Sequence, residues 1–264
     1  MRSQPLWVIG APRSGTTFLG AMLNRHPMVG LTNEGRMFVL LKQLIEVSCD
    51  RPDLLARDYR DGFTAFLKGE AGQLLERFYR QELGIDAPIW GDKHPPYADP
   101  AVLSGRRGAR PILPAAGSCL RLIREVLPAS KFIHIHREPG QVAHSLLCKG
   151  WVDSLADGMA VWRQYVSEID RFFGEVDARN RLVVAYSDLL EEPEETAQAL
   201  ARFLDLPDAR PMTAFLEAER QAPTPFSAPV TDLAARYKAA DASPTEPGTA
   251  GTATLTGILP DRFG

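Results

Sequence analysis

The chain has 264 residues, 45% of them hydrophobic and 24% charged, with a formal net charge of −3 at pH 7. That length supports one sizeable core, and the near-neutral balance excludes a surface that holds nucleic acid or an anionic membrane by bulk charge. Three widely spaced cysteines, Cys49, Cys119 and Cys148, fit neither a zinc pattern nor a disulfide framework and point to a reducing, cytoplasmic setting.

Residues 6–9 form an apolar run that predicts a strand rather than a leader peptide. A glycine-bearing loop follows, then a helix over 16–24 closed by His26-Pro27, because a residue before proline avoids the helical region. Leu31-Thr32-Asn33 reads as a short strand. Helical spacing of Phe38, Leu41, Leu44 and Ile45, continued by Leu54, Phe63, Phe66, Leu67, Leu74 and Leu75, predicts two or three helices between Arg36 and Glu82. Ile89-Trp90-Gly91 is a short strand leading into Asp92-Lys93-His94-Pro95-Pro96. Residues 104–117, rich in Gly, Pro and Arg, read as a loop, and 120–127 as a helix.

Residues 131–136 predict a second clear strand, with a helix over 141–147 behind it and a long amphipathic helix over 155–176. A third strand runs to Tyr186, and a helix covers 194–204. Strands alternating with helices imply a P-loop-like, three-layer α/β fold with a central parallel sheet flanked by helices. Residues 1–238 are expected to form the functional domain. Residues 239–264, mostly Ala, Pro, Ser, Thr and Gly, read as a low-complexity tail, either a linker or a lid. No apolar run approaches the roughly 20 residues of a membrane helix.

Gly10-Ala11-Pro12-Arg13-Ser14-Gly15-Thr16-Thr17 lies between a strand and a helix. Such a loop aims backbone N–H groups at one point, and the helix N-terminus adds partial positive charge. Gly15 lets the backbone approach an anion, and the Ser14, Thr16 and Thr17 hydroxyls add donors. A loop for nucleoside triphosphates would carry lysine where Thr16 stands; here the cation is Arg13. A second anion anchor is Arg137, at the carboxyl end of a strand in His136-Arg137-Glu138-Pro139, with Ser145 eight residues on. Arginine can grip a phosphate through two N–H groups and serine can supply a third donor. A surface ion pair between Arg137 and Glu138 is the plainer alternative.

Pro-Arg-Ser-Gly-Thr-Thr after a first strand resembles the 5′-phosphosulfate loop of PAPS-dependent sulfotransferases, in the arginine form of their bacterial and tyrosylprotein-like branches; PAPS is 3′-phosphoadenosine 5′-phosphosulfate. The strand–Arg137–Glu138–Pro139–Ser145 stretch resembles their 3′-phosphate motif. The resemblance covers roughly residues 5–206. It implies PAPS as co-substrate, PAP as product, no metal, and sulfuryl transfer to a hydroxyl or amine of a small-molecule, glycan or lipid acceptor.

Carried over residue by residue, the resemblance makes Arg13 both a donor-binding and a charge-stabilising group. Ser14, Gly15, Thr16, Thr17, Arg137, Ser145 and Tyr186 become donor-binding residues. Lys93, in a segment like the family's Asn/Asp-Lys-x-Pro, becomes a transition-state cation. Glu34, at a like distance after the loop arginine and followed by Arg36, becomes the general base, with His94 as its rival. Lys149 would add charge near the 3′-phosphate, and Arg236-Tyr237-Lys238 is a loose match to a C-terminal donor contact.

From the residues alone, His134 and His136 alternate with Ile133 and Ile135 and face one side of their strand, either near the nucleotide or as satisfied strand-end histidines. They make no metal pair, since no third ligand is evident. Arg106, Arg107 and Arg110 read as a solvated loop or as contacts to an acidic acceptor. Phe38, Phe63 and Phe66 read as core or as the lining of an acceptor cleft. Two other readings stand beside sulfuryl transfer: a small-molecule P-loop kinase, weakened by the missing lysine, and a catalytically retired nucleotide binder.

Overall fold

A computed structural model describes residues 3–50, 56–100 and 117–221. The arginine-rich loop 104–116, Arg236-Tyr237-Lys238 and the tail 239–264 lie outside them.

Five parallel strands form one sheet in the order β2-β3-β1-β4-β5: β1 Gln4–Ile9, β2 Val29–Asn33, β3 Ile89–Lys93, β4 Lys131–His136 and β5 Arg181–Ala185. β1 is central, and side chains alternate across a strand. Trp7 and Ile9 therefore enter one core with Phe38, Tyr79, Trp90 and Phe132. Leu6 and Val8 enter another with Phe18, Leu19, Ile133 and Val184. A strand buried on both faces needs the continuous apolar run seen at 6–9.

On the first face lie α2 Met37–Asp50, α3 Arg57–Arg77 with a π-type turn after it, α4 Leu120–Val126 and α6 Leu155–Phe173. On the second lie α1 Thr16–Leu23, α8 Pro193–Phe203 and α9 Arg210–Gln221. The remaining helices are α5 Pro139–Cys148 and α7 Tyr186–Glu191. The expected three-layer architecture is therefore present. No helix among the described residues is long and apolar enough to cross a membrane.

Several expectations need correction. Tyr186 does not end β5: the strand stops at Ala185, and Tyr186 is the first residue of α7. The turn tucks its ring against Phe18, at 6.1 Å between centroids, instead of leaving it at the strand tip. β3 runs through Asp92 and Lys93, so the lysine stands at a strand end rather than in a loop. α9, past the end of the expected elements, buries Met212 and Leu216. Phe38 is core, whereas Phe63 and Phe66 are 38% and 62% exposed on α3. That helix turns Ala71 and Leu75 to the core, and Phe63 and Phe66 lie off that face.

Candidate functional site

The chain adds β2 and β3 on one side of β1, then β4 and β5 on the other. The loops after β1 and β4 diverge at that reversal, where open α/β sheets place their ligand crevice. Residues 10–15 and Arg137 occupy those two loops.

The loop after β1 is folded tightly. Gly10 lies so close to β4 that a Cβ there would sit 2.7 Å from the Ile135 carbonyl. Gly15 has φ 98°, and its Cβ would sit 2.4 Å from the Tyr186 ring, so both backbone and space demand glycine. Arg13 is left-handed with φ 72°, a conformation that costs a non-glycine residue about 1–2 kcal/mol. Arg137 helps hold it: its Nη1 donates to the Arg13 carbonyl at 3.3 Å. α1 starts at Gly15 with no side-chain cap and no acid in its first turn. Its first amides are thus left to another acceptor.

The two sequence motifs meet here. Arg13 Nε donates to Ser145 Oγ on α5 at 3.0 Å. Arg137 Nε donates to Gln141 Oε1 at 2.9 Å, and its guanidinium stacks over the Tyr186 ring at 4.3 Å. Arg137 does not pair with Glu138, which caps α5 by accepting from the Gly140 and Gln141 amides. Burial first, then the charge of Arg13, hold the Arg137 pKa below its ordinary value, against the pull of Tyr186 and Glu138. Two cations, neither ion-paired to a carboxylate among the described residues, suit an anion of more than one charge.

Lys93 and Glu34 form the other half. The Lys93 ammonium is 3% exposed and donates to Thr17 Oγ1 at 2.9 Å and to Glu34 Oε1 at 3.0 Å. It therefore bridges the helix that follows the loop and the expected base. Glu34 is 44% exposed and left-handed, with φ 64°. Burial works to raise its pKa, but the Lys93 hydrogen bond and the charges of Lys93, His94 and Arg36 together leave it below the usual carboxylate value.

His94, the rival base, is 1% exposed, and its Nδ1 has no hydrogen-bond partner among the described residues. Burial lowers its pKa to about 4 despite the opposing charges of Asp92 and Glu34. Ser14 and Thr16 are buried in the loop. Lys149 is exposed beyond α5 as its C-terminal cap. His134 and His136 do share one face, but it packs on α6: His134 against Phe173 and His136 against Trp162. Trp162 in turn donates to the Arg137 carbonyl at 3.1 Å.

One residue escaped the sequence reading. Asp92 is fully buried and accepts from the Thr32 hydroxyl at 2.8 Å, the Gly35 amide at 3.0 Å and the Tyr97 hydroxyl at 2.9 Å. The signal was available: alternation along β3 sends the side chain next to Lys93 to the opposite face.

The Sulfotransferase family model matches residues 5–210, most of the chain and all of the site just described. The chain belongs to the Sulfotransferase family. Among its relatives, the Drosophila melanogaster protein-tyrosine sulfotransferase is 24% identical over 216 residues, 78% of this chain and 39% of that protein. A Caenorhabditis briggsae relative is 26% identical over 213 residues, 77% of this chain and 66% of that one. The chain thus spans less than two thirds of either. The sulfotransferase domain of a Synechococcus PCC 7002 olefin synthase shares the fold at 18% identity, with a TM-score of 0.57, covering 93% of this chain and 96% of that one.

Proposed function

We propose that this sulfotransferase moves a sulfuryl group from PAPS to a hydroxyl or amine. The observation that supports this most is the junction of two motifs far apart in sequence, where Arg13 reaches Ser145 while Arg137 grips the Arg13 carbonyl. On this reading the loop residues Arg13, Ser14, Gly15, Thr16 and Thr17 receive the 5′-phosphosulfate. Arg137 and Ser145 receive the 3′-phosphate, and Tyr186 acts as the plate on which Arg137 lies.

The chemistry then follows from the Glu34–Lys93 pair. The acceptor oxygen attacks sulfur as its proton passes to the Glu34 carboxylate. The new O–S bond forms as the bridging S–O bond breaks and PAP departs. A protonated Glu34 no longer holds Lys93, so the ammonium can turn to the bridging oxygen, where charge develops. Arg13 neutralises charge on the same side. With Arg13, Lys93 and Arg137 in these roles, turnover is expected to persist in EDTA.

The acceptor is a small-molecule, glycan or lipid group on our reading. The fly relative's name adds a protein tyrosine to the panel worth testing. We also take residues 1–238 as the catalytic domain with a tail after it, and a reducing, cytoplasmic setting, consistent with Cys119 and Cys148 being free thiols.

Calorimetry with PAP, and separately with ATP·Mg²⁺, tests the donor. PAP binding without ATP binding is expected, and the reverse would make the chain a lysine-less P-loop kinase. A pH profile cannot separate the two possible bases, since Glu34 and His94 both titrate low. Substitution can: Glu34→Gln should stop turnover, and His94→Asn should spare it.

A further inference from the structure

The turn that carries Glu34 is strained and needs a reason to persist. Glu34 and Arg36 are both left-handed, φ 64° and 58°, and flank Gly35. Such backbone survives only where its surroundings over-determine it. Two hydrogen bonds do so, both to β3. The Glu34 amide donates to the Lys93 carbonyl at 2.9 Å, one step beyond the Asn33–Lys93 register of the sheet. The Gly35 amide donates to Asp92 Oδ2 at 3.0 Å.

The Asp92 carboxylate cannot itself drift. Thr32, on the strand leading into the turn, holds Oδ1, and Tyr97 holds Oδ2 from the 3-10 turn Pro95–Ala98. Tyr97 is fully buried, edge-on to Trp7 and Phe38 at 5.9 and 6.0 Å, so the anchor reaches into the core. Asp92 and Lys93 are adjacent on one strand and act on opposite faces. One fixes the turn from beneath, and the other meets the carboxylate the turn presents.

We propose that Asp92 is a positioning residue: its buried carboxylate, clamped by Thr32 and Tyr97, locks the Gly35 amide and so aims Glu34 at Lys93. This rests on reading Glu34 as the base, but the geometric claim can be tested apart from that reading. Asp92 touches no reacting atom and acts through Glu34 alone.

Asparagine can preserve the lock. Its amide oxygen can accept from Gly35 and Tyr97, and its NH₂ can donate to Thr32 Oγ1. The Thr32 proton can then turn to the Gly91 carbonyl, already at 3.1 Å. Alanine cannot replace any of these contacts.

The test uses the full chain. The Glu34 carboxyl is titrated by ¹³C NMR, assigned with Glu34→Gln, alongside PAP calorimetry and turnover of PAPS with para-nitrophenol as probe acceptor. Asp92→Ala is expected to move the Glu34 titration up into the ordinary carboxylate range. It should cut kcat roughly 10²-fold, the usual effect of a misplaced catalytic group, with PAP affinity and the KM for PAPS held. Asp92→Asn should restore the low titration and most of kcat.

A folded Asp92→Ala with the wild-type Glu34 titration would overturn the proposal. So would Asp92→Asn behaving like alanine, because buried charge rather than the lock would then be at work. If Asp92→Ala does not fold, Thr32→Val/Tyr97→Phe frees the same carboxylate to rotate, and an unmoved Glu34 titration there is equally fatal. If Glu34→Gln keeps turnover, the base assignment falls while the titration still decides the role of Asp92.

Discussion

The two halves of the site are held by different means. On the proposed nucleotide side, Gly15, Tyr186, Arg137, Arg13 and Ser145 interlock through one ring stack and two hydrogen bonds, and the cations face no carboxylate partner among the described residues. On the proposed acceptor side, cation and carboxylate are already joined as Lys93–Glu34. Beyond them, α2 and the α3 packed on it leave Leu40, Tyr59 and Phe66 exposed. On the proposed reading, the first half binds a ligand of fixed charge that it need not transform, and the second stores its charge internally until a proton arrives. A site proposed to read one constant donor and one variable acceptor has reason to be built this way.

Breaking one half should spare the other. The largest effect is expected from Glu34→Gln: turnover of PAPS should fall by about 10²–10⁴-fold, the usual contribution of a general base, with PAP binding by calorimetry unchanged. Gly15→Ala comes next and attacks the shared scaffold. The left-handed φ adds about 1–2 kcal/mol and the clash with Tyr186 about 1–3 kcal/mol, so thermal unfolding should move down and PAP binding weaken together.

Arg137→Ala reverses the pattern of Glu34→Gln. Loss of a charged hydrogen-bonding group of about 1.5–3 kcal/mol should appear in PAP affinity, with turnover at saturating PAPS much less affected. If Arg137→Ala and Glu34→Gln depress binding and turnover alike, the two-half description fails.

The smallest effect concerns pH. Burial, helped by the charge of His136, lowers the His134 pKa to about 3 in the folded chain. The folded state then binds fewer protons than the unfolded one between that value and about 6.5, so stability drops as pH falls through this window. In denaturant unfolding, His134→Leu should flatten the drop, leaving the part due to His94, whose pKa is about 4, and to His26, which burial also holds below its ordinary value.

The meeting of the Arg13 loop and the Arg137–Ser145 motif was legible in the sequence because short-range rules write each of them. A strand, a glycine loop and a helix in succession place Arg13 and Gly15, and Arg137 and Ser145 belong to one strand–helix pair. The rest depends on tertiary detail. Tyr186 was expected at a strand tip, since nothing local says that the chain turns there to fill the space above Gly15. Asp92 was passed over because Thr32 and Gly35, two of its three partners, lie on the neighbouring strand and the turn after it, and only the sheet register brings them to it. α9 was missed because charge masks its two inward residues, Met212 and Leu216.

The position of β1 bears on how the chain is made. It is synthesised before both of its neighbours in the sheet, whose strands begin at Ile89 and Lys131. At about 5–20 residues per second, the apolar run from Leu6 to Ile9 leaves the ribosome several seconds before either partner exists. During that interval a nascent chain must shield a fully hydrophobic strand with neither partner in place, and this segment is where a chaperone would be needed.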